Sequence, residues 1–219
     1  MGSIDWGVMW YAIPYMLRGA VVTLEISALA MLFGSVVGLL CGFLLLSEIT
    51  PLRWLARGYV YFVRGTPALV QIFLIYFALP VIGIQIPPFW GGVVALAFNA
   101  GGFIAEIARA GLQSIDVGQT EAAKAIGMTH HQTLFHILFP QSLRRITPPM
   151  TNEVITLVKG SSLLSSISIF ELTRSTQVII AQKFTPFELY ALLAVFYLVI
   201  ISVLSRISEY IESRACLGP

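Results

Sequence analysis

The chain has 219 residues, of which 57% are hydrophobic and only 11% are charged. A soluble protein carries about 25% charged residues, so this chain lacks the charge needed to cover a surface that faces water. Its formal net charge of +2 is too small to indicate a nucleic-acid partner. Composition therefore favours a protein whose partner is a lipid bilayer, and it argues against a soluble domain and against a nucleic-acid-binding protein.

Long apolar stretches predict five transmembrane helices, because a bilayer core needs about 20 mostly apolar residues per helix. Ile26–Leu46 and Leu189–Ser205 contain no charge, and the charge-free run after Arg64 is long enough for two crossings, divided by prolines. A weaker fourth candidate contains Glu153 and Lys159. We therefore predict an all-α polytopic membrane protein in which one domain fills residues 1–219, with a core of about 18–210. The predicted spans lie near 20–46, 59–82, 88–110, 150–172 and 187–210.

The cationic residues predict the orientation of these spans, because cytoplasmic loops carry an excess of lysine and arginine. Of the thirteen lysine and arginine residues, three fall on one side of the membrane and one lies inside a span. The nine on the other side are Arg53, Arg57, Arg64, Arg109, Lys124, Arg144, Arg145, Arg206 and Arg214. This asymmetry predicts an N-terminus outside the cell and a cytoplasmic C-terminus. The long loop between the third and fourth spans, residues 116–141, is then cytoplasmic.

Local signals in this cytoplasmic loop predict two short helices set at an angle. Glu121–Ile126 is rich in helix formers, with Glu121 expected in the first turn. Gly127 can adopt the left-handed conformation that ends a helix. Thr129 and Gln132 have the spacing of a capping box, which would start a second helix. Pro140 is expected to stop or kink that second helix.

A helical corner of this kind has two explanations. It can dock into a cleft of a cytosolic partner, where Ala122 and Ala123 permit close approach and Glu121 meets a basic residue. Alternatively, the two helices form an amphipathic pair lying on the membrane surface. The physical properties of the loop favour neither explanation over the other.

The pattern of Glu121, Ala122 and Ala123, followed by Gly127 and Pro140, resembles the EAA loop of binding-protein-dependent ABC importer permeases. Other segments resemble the polar amino acid group of that family, which includes the histidine and glutamine permeases. Those segments are Arg64-Gly65-Thr66-Pro67, Val70-Gln71, Ala105–Arg109, Gln113-Ser114-Ile115, Pro148-Pro149 and Asn152-Glu153. The resemblance extends over about residues 12–212.

This resemblance implies a type I ABC importer transmembrane fold and transport of polar amino acids across the bacterial inner membrane. The loop would form coupling helices, with Glu121, Ala122, Ala123, Gly127 and Pro140 at the ATPase. The implied partners are a cytosolic ABC ATPase dimer, an extracytoplasmic amino-acid-binding protein and a second permease subunit, identical or homologous. This chain would bind no cofactor, and ATP and Mg²⁺ would belong to the ATPase.

Two departures from the group lie near the expected substrate path. The group usually has Lys-Asp-Thr-Ser-Leu in the fourth span, where this chain has Lys159-Gly160-Ser161-Ser162-Leu163. The group also often has a tyrosine shortly before the glutamate of the third span, where this chain has Phe103. The amino acid that is carried therefore does not follow from the resemblance.

Polar residues inside the predicted spans are candidates for the substrate path, because hydrocarbon penalises them. Glu153 can receive the ammonium of an amino acid and Lys159 the carboxylate, or both can be structural. Ser161 and Ser162 can bond back to helix carbonyls, allow close helix packing or line a wet path. Asn99, and with less support Gln71, suit either a ligand pocket or hydrogen bonding between helices.

Glu106 and Arg109 have the i,i+3 spacing of an intrahelical ion pair, and a role as a gate is the alternative. His130, His131 and His136 lack the i,i+4 spacing of a helical metal site, so no metal is predicted. The sequence contains no glycine-rich phosphate loop, so we predict a permease subunit and not an enzyme. A secondary transporter or channel that uses Glu153 and Lys159 as an ion relay is the competing function.

Overall fold

The computed structural model describes residues 4–216, and these residues form helices joined by short connections. The first half of the chain supplies four of the helices and the second half five. In chain order they are α1 (Trp6–Leu45), α2 (Thr50–Gly65), α3 (Ala68–Val81), α4 (Pro88–Gln113), α5 (Val117–Ala125), α6 (His130–Thr133), α7 (Phe139–Gly160), α8 (Leu172–Lys183) and α9 (Pro186–Cys216).

The first helix is 40 residues long and begins well before the predicted start at residue 20. The side chain of Asp5 caps it by accepting a hydrogen bond from the N–H of Val8 at 3.1 Å. Arg18 interrupts the apolar pattern but not the helix. The predicted span therefore starts later along the chain than the helix does. At 1.5 Å per residue, α1 is about 60 Å long and exceeds the thickness of a bilayer.

α1 packs against α4 along a row of glycines spaced four residues apart. Gly34, Gly38 and Gly42 are buried in this contact. A Cβ atom at Gly38 would lie 2.6 Å from the Cβ atom of Ile104 and 2.8 Å from the carbonyl oxygen of Gly101. Without side chains on this row the two helices approach closely, as is typical of helix pairs in membranes. α4 is thereby fixed at the centre of the bundle.

The second predicted span is two helices and not one. α2 ends at Gly65, α3 begins at Ala68, and the two are bent by 115°. Residues 59–82 are therefore not one continuous helix, and their prediction as one membrane span stays a prediction. Pro67 explains the break, because it has no N–H to donate to the carbonyl of Val63 and forces Thr66 into an extended conformation.

The fourth predicted span, 150–172, is also interrupted, so this prediction is wrong as a single helix. α7 passes into a 3₁₀ helix, Ser161–Ile167, which ends at Ser168 with a left-handed φ of 61°. The bend to α8 is 46°. Serine hydroxyls donate to carbonyls three residues earlier, including Ser161 to Val158 at 2.9 Å. These bonds stabilise the tight turn that replaces the regular helix.

Three helices are individually long and apolar enough to cross a membrane within the described residues, namely α1, α4 and α9. Counting each bent pair as one crossing gives up to five spans. The prediction of an all-α polytopic membrane fold is therefore confirmed. The main core cluster lies where α1, α3 and α4 meet the 3₁₀ segment, and it includes the fully buried Ile26, Ile72 and Leu164.

Candidate functional site

Two open cavities lie on either side of the contact between Arg64 and Glu106. The first, of about 600 Å³, is bounded by the end of α1, by α2 and by the second half of α4. The second, of about 540 Å³, lies between α4 and α7. Arg64 and Glu106 are the two residues that line both. This charged pair therefore separates one cavity from the other.

The carboxylate of Glu106 is held by two guanidinium groups. Arg109 Nε donates to Glu106 Oε2 at 3.1 Å, and Arg109 Nη2 donates to Oε1 of the same carboxylate. Arg64 Nη1 from the end of α2 lies 3.5 Å from Glu106 Oε1. The intrahelical pair predicted from the spacing is present, and Arg64 extends it to a second helix. A role of Glu106 and Arg109 as a gate stays a prediction.

Glu153 of α7 lines the second cavity and is buried, with 8% of its surface exposed. No donor or cation from residues 4–216 pairs with its carboxylate. Asn152, Arg145 and Phe103 line the same cavity. A buried carboxylate without a partner is energetically costly, and it can be satisfied by a cationic group that enters the cavity.

Gln71 lies in the first turn of α3, directly after the break from α2. Its side chain is completely buried. Its Nε2 donates to the carbonyl oxygen of Val63 at 2.8 Å and to the carbonyl and hydroxyl oxygens of Thr66 at 3.0 and 2.9 Å. The first of these bonds replaces the one that Pro67 cannot donate. Asn99 Nδ2 in turn donates to Gln71 Oε1 at 2.9 Å. These amides fasten the helix break to α4.

Five of the six predicted path residues lie away from the two cavities. Lys159 is exposed and Ser161 is buried, with its hydroxyl bonded to a helix carbonyl. Ser162 Oγ donates to the carbonyl of Lys159 at 2.7 Å. None of the three lines either cavity, and neither do Gln71 and Asn99. The structure therefore does not bring these residues together with Glu153, and their part in the substrate path stays a prediction.

Two important residues were not singled out from the sequence. Arg64 entered only as one of the nine cations on the predicted cytoplasmic side and as part of a family segment, although its position just before a helix-breaking Thr-Pro pair indicates a side chain at a helix end. Glu171 is fully buried and caps α8, accepting from the N–H of Thr173 at 2.8 Å and from that of Arg174 at 2.6 Å. Glutamate is not a preferred capping residue, so the local sequence gave no signal for this role.

The loop 116–141 forms an exposed helical corner. α5 begins at Val117 and is capped by Asp116, so Glu121 lies in the second turn and its expected place in the first turn is wrong. Gly127 adopts a left-handed φ of 82°. Its N–H bonds to the carbonyl of Lys124, and the N–H of Met128 bonds to that of Ala123, which together form a Schellman motif.

The second helix of the corner starts as predicted but does not stop at Pro140. Thr129 and Gln132 form both bonds of the capping box. The chain then makes a π-helical turn, Leu134–Leu138, in which the N–H of Phe139 bonds to the carbonyl of Leu134. The widened turn accommodates Pro140 at the start of α7. Of the two outcomes expected at Pro140, the helix does not stop, and the π-helical turn directly before the proline is the irregularity that takes the place of a kink. The corner is therefore joined directly to the helix that carries Glu153.

The corner presents an apolar and acidic surface to its surroundings. Glu121 and Ala122 are exposed, whereas Ala123 is buried against the neighbouring turn. Val117 and Ile126 are 69% and 77% exposed at the two ends of α5. Two large exposed apolar side chains thus flank the exposed Glu121 along α5. Within residues 4–216, no group of three or more histidine, cysteine, aspartate or glutamate side chains is arranged to hold a metal ion.

A helical membrane bundle with a charged cavity and a protruding helical corner is the architecture of the membrane component of a transporter. Residues 34–215 match the family described as binding-protein-dependent transport system inner membrane component, and the chain belongs to this family. The family resemblance drawn from the sequence motifs is thus confirmed.

Individual relatives match over almost the whole chain. It is 41% identical over 214 residues to the glutamine transport system permease protein of Escherichia coli (strain K12), covering 97% of this chain and 98% of that protein. Identity to the L-cystine transport system permease protein of Bacillus subtilis (strain 168) is 36%, covering 97% and 92%. A crystal structure of an amino acid ABC transporter with histidines superposes with a TM-score of 0.92 at 37% identity, covering 97% of this chain and 100% of that one. The predicted type I importer fold is therefore confirmed.

Proposed function

We propose that this chain forms the substrate path of an ATP-driven importer for polar amino acids in the bacterial inner membrane. The names of the relatives support amino acids as the class of substrate. The chain would pair with a second permease, identical or homologous, and receive substrate from an external binding protein. The positive-inside distribution of lysine and arginine supports an N-terminus outside and a cytoplasmic C-terminus.

The observation that carries this proposal is the pair of opposite charges in the second cavity. A zwitterionic amino acid presents an ammonium and a carboxylate. Glu153 has no protein partner among the described residues and suits the ammonium. Arg64 has a half-exposed side chain in the same cavity and suits the carboxylate. Burial strengthens the contact of Glu153 relative to water.

The cavity favours an uncharged polar side chain on the substrate. Gly160 takes the place of the aspartate usual in the group. α7 therefore carries one carboxylate, that of Glu153, instead of two. A single carboxylate is satisfied by the α-ammonium and leaves none for a cationic side chain. The 41% identity to a glutamine permease agrees with this preference.

The ion pair of Arg64 with Glu106, whose carboxylate Arg109 also holds, would act as the gate between the two cavities. Because Arg64 lies beside the α2–α3 break and Glu106 on α4, a change in the angle of that break would separate them. Gln71 and Asn99 would set this angle. Lys159, Ser161 and Ser162 would join the path only in a state in which α7 and the 3₁₀ segment have moved.

The exposed corner would dock into a cytosolic ABC ATPase dimer, which binds ATP and Mg²⁺. Glu121, Ala122, Ala123 and Gly127 would lie at that contact, with Pro140 at the entry to α7. Since the corner continues into α7 through the π-helical turn, movement of the ATPases would be transmitted to the helix that carries Glu153. ATP binding would thereby shift the bundle between its inward- and outward-facing states.

Uptake of amino acids by the reconstituted transporter tests the proposed cavity. Glu153→Gln keeps the shape of the side chain but removes its charge, and we expect the KM for uptake to rise about tenfold, as for the loss of one charge-assisted bond. Glu209→Gln, an exposed carboxylate on α9, is the matched control and should leave uptake unchanged. An unaltered KM in Glu153→Gln would contradict the proposed ammonium site.

A further inference from the structure

A third cavity lies along the seam between α1 and α8, at the end of the bundle that holds the start of α1. The two helices run antiparallel, since Leu172 N–H donates to Thr23 Oγ1 at 3.2 Å while Lys183 lies over the ring of Tyr11. They are closest at Gly19, where a Cβ atom would meet Ser175 Oγ at 2.7 Å. Beside this contact they leave a groove of about 360 Å³.

The mouth of the groove carries positive charge and phenol hydroxyls. Arg18 and Tyr15 line it, together with Tyr11, whose hydroxyl lies 3.5 Å from that of Tyr15. Lys183 does not line the groove itself but lies beside the mouth, with its Nζ 4.9 Å from the centre of the Tyr11 ring. Within residues 4–216, neither Arg18 nor Lys183 forms an ion pair with a carboxylate. The mouth therefore attracts an anion and offers hydrogen-bond donors to it.

The floor of the groove is apolar. It is lined by Val22 of α1 and by Val178 and Ile179 of α8. Phe170, just before α8, also lines the groove and is 60% exposed. A small hydrophilic anion would leave these side chains uncovered. A ligand that satisfies the whole groove needs an anionic head and a hydrocarbon tail.

The start of α1 carries the residues typical of a membrane interface. Trp6 and Trp10 are 64% and 74% exposed, and Tyr11 and Tyr15 follow on the same helix. Tryptophan and tyrosine are enriched at the level of lipid headgroups. Arg18 follows Tyr11 by two helical turns and lies deeper in the membrane. A long arginine side chain at that depth extends towards the headgroups. The mouth of the groove is thus at the height where phospholipid phosphates are found.

We propose that the α1–α8 groove is a binding site for an anionic phospholipid. The phosphate is held by Arg18 and Lys183 with the hydroxyls of Tyr11 and Tyr15, and one acyl chain lies along the apolar floor. Basic pockets between transmembrane helices bind anionic headgroups elsewhere. A bound lipid fills the gap between α1 and α8 and holds the two helices together.

Titration of the purified full-length chain in detergent with phosphatidylglycerol tests this site, with the shift in Tm and the lipid retained in native mass spectrometry as readouts. The double variant Arg18→Gln/Lys183→Gln should bind phosphatidylglycerol about 30-fold more weakly, from roughly 1 kcal/mol per cation. Arg206→Gln/Arg214→Gln is the matched control, because it also removes one exposed arginine and one cation that stacks on a tyrosine. It should bind like the unmodified chain.

Two further arms separate the head from the tail. Val178→Phe narrows the floor and should weaken phosphatidylglycerol binding while leaving both cations in place. Inorganic phosphate and phosphatidylcholine should each raise the Tm by less than phosphatidylglycerol. Equal affinity in the Arg18→Gln/Lys183→Gln variant and the control would overturn the proposal. It would also be overturned if inorganic phosphate alone stabilised the chain as much as phosphatidylglycerol does.

Discussion

Asn99 of α4 donates its amide hydrogen to Gln71 of α3 at 2.9 Å, and Gln71 in turn donates to the carbonyl that Pro67 leaves without a partner. This relay links the sharpest bend in the bundle to its central helix. Arg64 lies in the last turn of α2, just before this bend. It contacts Glu106, which follows Asn99 by two turns of α4. The geometry of the charged pair between the two cavities therefore depends on the amides of the buried Gln71 and the half-buried Asn99.

Replacing the donor in this relay should destabilise the bend. In Gln71→Glu the side chain keeps its size, but a carboxylate then faces the three oxygen atoms of Val63 and Thr66 to which Nε2 donates. We expect a loss of about 1–3 kcal/mol, the cost of leaving buried polar groups unsatisfied. A lower Tm for the purified chain would measure it.

Gln85→Glu makes the same chemical change at an exposed position in the α3–α4 connection. It should leave the Tm unchanged. If the Gln71 and Gln85 variants had the same Tm as the unmodified chain, the amide relay would not stabilise the bend.

Gly160 offers a way to alter the substrate preference. An added Cβ atom meets nothing within 4 Å there, and the backbone is helical with φ −63° and ψ −27°. Gly160→Asp should therefore fold normally. Residues 153 and 160 are seven positions apart, so the new carboxylate lies on the face of Glu153, two turns away. We expect competition by cationic amino acids to increase, and inhibition of uptake by arginine and by glutamine measures it.

The neighbouring substitution Gly160→Ala is the control for the loss of glycine and should leave the preference as it is. Unchanged competition by arginine in Gly160→Asp would show that the carboxylates on this face do not select the substrate.

The left-handed turn at Gly127 fixes the angle of the cytoplasmic corner. With φ at 82°, any side chain is strained, and Gly127→Ala should cost about 1–2 kcal/mol locally. We expect weaker association with the ATPase at normal membrane insertion, measured by co-purification. Gly58→Ala lies in a regular helix with open space around it and should co-purify with the ATPase as the unmodified chain does. Equal recovery of the ATPase with both variants would contradict the role of this turn.

The charge of the cytoplasmic corner should affect ATPase binding independently of the angle between its helices. Glu121 is exposed in the second turn of α5, so Glu121→Lys leaves the fold intact but places a cation where we propose a basic ATPase residue. ATPase binding should fall while the Tm of the isolated chain stays constant. Glu209→Lys reverses an exposed charge on α9 and serves as the comparison. An equal loss of binding in both would indicate a general charge effect instead of a specific contact.

The sequence predicted features that depend on local rules, and it missed those that depend on distant partners. The capping box of Thr129 and Gln132 and the helix stop at Gly127 follow from neighbouring residues alone. The break at Pro67 is stabilised by the buried Gln71, which bonds to Val63 and Thr66 and which Asn99, 28 positions away, links to α4. Pro140 was expected to stop or kink the helix, and the form that the interruption takes, a π-helical turn, leaves no signal in local helix propensity.

The same limit applies to the candidate site. Glu153 and Glu106 were found because charges inside apolar runs are conspicuous. Arg64 was counted only as a cytoplasmic-side cation and a family-segment residue, since only the bend of α2 against α3 brings it to Glu106. Lys159 was grouped with Glu153 by proximity in the sequence, and the structure separates the exposed lysine from the cavity.

The most direct test of the proposed function is amino acid uptake into proteoliposomes that contain this chain, its ATPase and its binding protein. Uptake should require ATP on the ATPase side, stop with vanadate, and fail when the ATPase is left out. It should not respond to an imposed proton gradient. Uptake driven by a proton gradient in the absence of nucleotide would contradict the account and favour a secondary transporter.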